Sequence, residues 1–171
     1  MNAQQAPIFD HYMYVTQWYN SGYAGSQDMI WANIVVNSRM LGFGDGKPQD
    51  ISASVNLPFN LFGKEHGAGF AFNNGQVGFF RTNHIKLAYA YRADLGNGKL
   101  GIGLAPGVYI HHLKVDAWKP TETGLSTPFY YDETLPKAED QYYKFDMDAG
   151  LFYKADDLYM GISHKYRFTY N

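Results

Sequence analysis

The chain has no cysteine, which excludes disulfides, thiolate zinc sites and a cysteine nucleophile. It has no basic surplus either: 14 Lys and Arg stand against 16 Asp and Glu, for a formal net charge of −2. That balance argues against a nucleic-acid-binding domain, so no nucleic acid is expected as a partner. No apolar run is long enough for a transmembrane helix, and the 3.6-residue periodicity of amphipathic helices is scarce. What the chain does have is aromatic residues and glycine: 15 Tyr, 12 Phe, 3 Trp and 18 Gly in 171 residues, at a mean hydropathy of only −0.37. The length suits one domain, and 46% hydrophobic residues exclude global disorder. A β-rich protein has this composition. So does a membrane β-barrel, whose spanning segments are only half apolar.

Alternation with a period of two recurs along the chain. In 29–36, Ile30, Ala32, Ile34 and Val36 oppose Met29, Trp31, Asn33 and Val35. In 51–57, Ile51, Ala53, Val55 and Leu57 oppose Ser52, Ser54 and Asn56, and in 66–72 Ala68, Phe70 and Phe72 oppose Gly67, Gly69 and Ala71. The clearest case sets Ile85, Leu87, Tyr89 and Tyr91 against His84, Lys86, Ala88, Ala90 and Arg92. Leu100, Ile102 and Leu104 follow, interrupted by Pro106 and resumed by Val108 and Ile110. Phe145, Met147, Ala149, Leu151 and Tyr153 then oppose Asp146, Asp148, Gly150 and Phe152, and Leu158, Met160 and Ile162 close the series. This gives about seven strands, or eight if Tyr166, Phe168 and Tyr170 add one.

One face of these strands is large and apolar; the other is Gly, Ala, Ser or charged. A soluble sandwich or lipocalin-like barrel would place Lys, Glu and Thr opposite its core face. A membrane barrel turns large apolar residues to lipid and small or polar ones to the lumen. The expected fold is therefore all-β, an antiparallel up-and-down transmembrane barrel or part of a larger one. Short connections at 60–64, 94–98 and 155–156 alternate with longer ones at 39–47, 74–79 and 113–142, as in barrels with short periplasmic turns and long outer loops. Residues 1–27 form an N-terminal segment packed at or in the barrel, and 28–171 form the barrel with its long outer loop at 113–142. No basic and apolar leader opens the chain; Ala3 is a small residue suited to a cleavage site, or the start is an ordinary N-terminus.

Candidate chemistry is sparse. His111 and His112 are neighbours in a strand and point to opposite faces, so they cannot chelate one ion. Asp146 and Asp148 share a face and could do acid–base work, or simply pair with inward cations such as Lys86 and Arg92. No Gly-x-Ser-x-Gly elbow exists, and Gly101-Ile102-Gly103 runs into a strand rather than a dinucleotide-binding helix. The loop at 113–142 carries Trp118, Phe129, Tyr130 and Tyr131 among several acids. It is either a docking surface or a solvated loop whose aromatics pack on the rim.

Tyr12-Met13 followed by Tyr19-Asn20-Ser21-Gly22-Tyr23-Ala24-Gly25-Ser26 resembles the opening motif of the PorP/SprF family of Bacteroidetes outer-membrane proteins, which reads Tyr-Met and then Asn-Pro-Ala-Tyr-Ala-Gly-Ser. The resemblance continues through Gly42, Pro48, Pro58, Gly67-Ala68-Gly69-Phe70, Gly78, Tyr89-Ala90-Tyr91-Arg92, Leu95-Gly96-Asn97-Gly98-Lys99-Leu100, Trp118 and the stretch 145–163. Ser21 stands where the family has Pro, Gly22 where it has Ala, and Met40 where it has Trp. Family members are also longer, with further strands after the equivalent of Ser163, so the chain is either a truncated member or a short relative ending at Tyr170. A half-barrel would expose an edge to lipid, so the missing strands would have to come from elsewhere.

The resemblance implies a non-enzymatic role in the outer membrane, in the type IX secretion and gliding machinery, with no cofactor. The implied partners are membrane lipid, other type IX secretion proteins or a large secreted adhesin, and a periplasmic peptidoglycan-binding protein. Tyr19, Asn20, Tyr23, Trp118, Phe129, Tyr130 and Tyr131 are the candidate partner-binding residues. His84, Lys86, Arg92, Asp146 and Asp148 are the candidate polar residues of the lumen. The alternative is an outer-membrane small-molecule channel or carrier lined by those five; a barrel enzyme would rest on the two aspartates alone.

Overall fold

The structure, a computed structural model, describes residues 15–39, 47–78, 80–113 and 140–167. Trp118, Phe129, Tyr130, Tyr131, Phe168 and Tyr170 lie outside the described residues. A short helix α1 (Thr16–Tyr19) and a 3-10 turn (Ser21–Tyr23) precede seven strands: β1 (Trp31–Ser38), β2 (Gln49–Leu61), β3 (Lys64–Val77), β4 (Phe80–Leu95), β5 (Gly98–Leu113), β6 (Asp140–Lys154) and β7 (Tyr159–Arg167). They form one sheet in sequence order, antiparallel throughout. The all-β up-and-down reading holds. Among the described residues no helix is long and apolar enough to cross a membrane.

The alternation seen in the sequence is the side-chain alternation of the sheet. Ile34, Val55, Leu57, Phe70, Ile85, Leu87, Tyr89, Ile102, Leu104, Phe145, Met147, Leu151 and Ile162 are all exposed. Their small or polar strand neighbours, among them Ser52, Ser54, Ala71, Ala88, Ala90 and Ala105, are buried. On β5 the outward apolar series from Leu100 to Ile110 covers about 34 Å of strand, or about 25 Å along the normal at the usual barrel tilt. That is the height of a lipid-facing band. Near the end of the band, His66 stacks between Phe59 and Tyr89, with ring centroids 5.6 and 5.7 Å away. The Tyr89 hydroxyl also hydrogen-bonds His66 Nδ1 at 2.6 Å.

The sheet is rolled. Val35 of β1 packs on the cluster that contains Trp18, and the Trp18 carbonyl accepts from Lys165 Nζ of β7 at 3.0 Å. Laid flat, β1 and β7 would be six strand spacings apart, about 29 Å, which two side chains cannot bridge. Among the described residues β1 and β7 do not pair with each other and are the sheet's two edges.

Two expectations about local structure need correction. The connection at 74–79 is not long: β3 runs to Val77 and β4 resumes at Phe80. Its polar residues are cross-strand partners instead, Asn74 donating to Asn83 at 2.6 Å and Arg81 to Gln76 at 3.1 Å. The end that carries the connections between β1 and β2 and between β5 and β6 therefore also carries one tight turn. Pro106 interrupts only the ladder to β4, which skips Ala105 and Pro106, and β5 itself runs on through it. It keeps its place opposite Met147 of β6, and the pairing with β4 continues on either side of it at Gly107 and Leu104. A proline lacks only its own N–H, so the strand passes through at the cost of a ladder bond.

Candidate functional site

The rolled sheet encloses the segment 15–26, which lies along its inner face. Backbone meets backbone there, so the inner face must be nearly bare. A Cβ on Gly22 would sit 2.7 Å from the Gly101 carbonyl oxygen, and one on Gly25 would sit 2.6 Å from Gly67 Cα. Side chains on Gly67, Gly69, Gly103 and Gly150 would collide with Ala24, Gln17, Ser21 and Asn20 respectively. The glycines that alternate with large apolar residues in β3, β5 and β6 are thus a bed for this segment.

Polar side chains fix the segment along its length. Asn20 accepts from the Gly22 amide at 2.9 Å, which caps the 3-10 turn. Its amide nitrogen donates to the Leu151 carbonyl at 2.9 Å and to the Ile162 carbonyl at 3.4 Å. Asn56, fully buried, accepts from the Gly25 amide at 2.6 Å and donates to the Tyr23 carbonyl at 3.3 Å. Lys154 Nζ donates to the Ser26 carbonyl at 3.0 Å. Two lysines and two asparagines therefore satisfy segment backbone that no ladder serves.

Three residues singled out as partner-binding candidates lie in this segment and touch the chain itself. Asn20 is buried between β6 and β7. Tyr19 is half-buried beneath Lys165, 5.3 Å from Nζ to ring centroid, and Tyr23 stands edge-on to Phe152 with centroids 5.2 Å apart.

The five polar candidates are all buried and all on the inner face. His84 Nε2 lies 2.8 Å from Asp146, and Lys86 Nζ is ion-paired with Asp148. Trp18 sits on both pairs: its ring is edge-on to His84 with centroids 4.7 Å apart, and Lys86 Nζ is 4.9 Å from its centre. Arg92 is not with the aspartates. It lies nearer the short-turn end, beside Glu65. Each aspartate thus faces a basic side chain, and Lys165 of β7 lies opposite Asp148 in the register. Among the described residues no three His, Asp or Glu gather as metal ligands.

Sequence reasoning missed Trp18, Asn56, Glu65, Lys99, Lys154 and Lys165. The inward lysines could have been found from strand parity, since Lys154 follows Phe152 and Lys165 follows Ser163 on the small-residue face.

Comparison with curated proteins and with solved structures returns no match. The family profile described as type IX secretion system membrane protein PorP/SprF matches residues 1–171. A rolled antiparallel sheet with its apolar side chains outside, together with a match along the whole sequence, places the chain in the PorP/SprF family of type IX secretion system membrane proteins.

Proposed function

We propose that the protein is a non-enzymatic outer-membrane component of the type IX secretion machinery that holds a protein partner, either a secreted surface adhesin or a periplasmic protein. The observation that carries this reading is the segment 15–26 lying against the inner face, anchored from β2, β6 and β7. A transport lumen would need that space open. With the interior occupied and the outer face given to lipid, the surfaces left for function are the two ends of the sheet. The pairing of Asp146 and Asp148 with His84 and Lys86 supports a structural role for the two aspartates.

Purification in mild detergent from cells expressing the tagged protein, followed by mass spectrometry, tests the reading. Recovery from the outer-membrane fraction together with secretion-system proteins or a large secreted protein is the expected result. Steady ion conductance of the purified protein in planar bilayers would favour the channel or carrier instead.

A further inference from the structure

The short-turn end of the inner face carries a second charged group, separate from the His84–Asp146 and Lys86–Asp148 pairs. Arg92 of β4 lies between Glu65 of β3 and Gly101 of β5 in the register. It is only 5% exposed, yet among the described residues its Nε and Nη1 have no hydrogen-bond partner. The Glu65 carboxylate is 3.9 Å from Nε, beyond hydrogen-bond reach. That carboxylate is engaged elsewhere: Lys99 Nζ donates to both its oxygens, at 2.6 and 2.7 Å. Lys154 reaches in from β6 to the Ser26 carbonyl. Asp94, opposite Lys99 in the register, is exposed to solvent.

Three cations therefore meet one shared carboxylate and one solvated one. A buried guanidinium with two unused donors is costly, and its planar fork is matched by a carboxylate. Glu65 and Lys99 are partly exposed, at 44% and 33% of their side chains, so the group is reached from water at the short-turn mouth. It lies on the face opposite the apolar band, which removes a lipid headgroup from consideration. The resident Glu65 shows which chemistry fits beside Lys99.

We propose that Arg92, Lys99 and Lys154 form a receptor for a carboxylate of a polypeptide reaching the short-turn mouth, with Glu65 as the resident group it displaces. The proposal rests on the register and burial around Arg92, not on the identity of any secretion partner.

The test is fluorescence polarisation with a labelled, acetylated oligoglutamate peptide and the full chain folded in detergent micelles at constant ionic strength. The wild type binds the peptide saturably. Glu65→Gln, which removes the competitor, tightens binding several-fold, whereas a purely structural Glu65 predicts no gain. Arg92→Gln weakens binding about tenfold, the loss of one charge-assisted hydrogen bond. If Arg92→Gln does not fold, Lys99→Gln and Lys154→Gln decide, each weakening binding while the folded fraction stays unchanged. No saturable binding, or unchanged or weaker binding in Glu65→Gln, overturns the proposal. So does inorganic phosphate displacing the peptide at concentrations where acetate does not, since the site would then prefer phosphate.

Discussion

The two faces of the sheet follow opposite rules. The outer face exposes Ile34, Leu87, Leu104 and Ile162, and Ile162 reaches 71% exposure at the β7 edge. Among the described residues the largest fully buried side chains are Asn56 and Asn73 of the inner face and Ser21 and Ser26 of the segment lying on it. A water-soluble barrel has the reverse arrangement, with large apolar groups inside and asparagine outside. The difference teaches that the interior of this protein is held by hydrogen bonds, ion pairs and close backbone approach. Apolar burial falls on lipid contact outside. Each face should therefore fail in its own way when altered.

The largest loss is expected on the inner face, from removing one half of a buried ion pair. Lys86→Met strips Asp148 of its ion-pair partner, leaving only Lys165 across the register, and should destabilise the fold by about 3 kcal/mol. Adding Asp148→Leu should restore much of that. Urea titration of the protein folded in detergent measures both. If the double variant were no better than the single one, Lys86 would matter through its contact with Trp18 and not through the pair.

Next comes Gly103→Val, which drives a branched side chain into Ser21. The expected cost is about 3 kcal/mol, by overpacking against backbone that cannot move aside. Ala149→Val on the outer face, at a neighbouring register position, should change stability little. Equal losses from the two substitutions would erase the distinction between the faces.

Leu104→Lys probes the outer face directly. A lysine facing lipid near mid-height should cost about 2–4 kcal/mol in bilayers. The same substitution at an exposed site in water would be nearly neutral, so a stability series in vesicles against that in a short-chain detergent locates the lipid band. The smallest effect is expected from Asn20→Ala. It removes the cap of the 3-10 turn and the bonds to the Leu151 and Ile162 carbonyls, about 1–2 kcal/mol in all. Its sharper readout is faster proteolysis within 15–27 while the strands stay protected.

The division between faces was legible in the residues themselves. Ile85, Leu87, Tyr89 and Tyr91 alternate with His84, Lys86, Ala88 and Ala90, and a period of two admits only one geometry. The tight turn after Val77 was hidden because Asn74, Gly75 and Gln76 have turn-like composition. Only the cross-strand partners Asn83 and Arg81 make them strand. The passage of β5 through Pro106 was hidden for a similar reason, since the missing N–H matters only on the side that would have used it. The grouping of Arg92 with Glu65, Lys99 and Lys154 depends on register across four strands. Local pattern fixes which face a residue takes, but not which residues of distant strands share a level. The company of Trp18 was hidden too, because a single tryptophan in a short helix says nothing about the strands that will surround it.

One contact bears on the order in which the molecule is built. Trp18 belongs to the first described element and Lys165 to the last strand, 147 residues apart in the sequence. Asn20 likewise bonds to both of the last two strands. A chain delivered only as far as β6 would have the segment held by the Leu151 carbonyl and by Lys154 but still without Lys165. The full set of bonds that holds segment 15–26 therefore exists only once the seventh strand is in place.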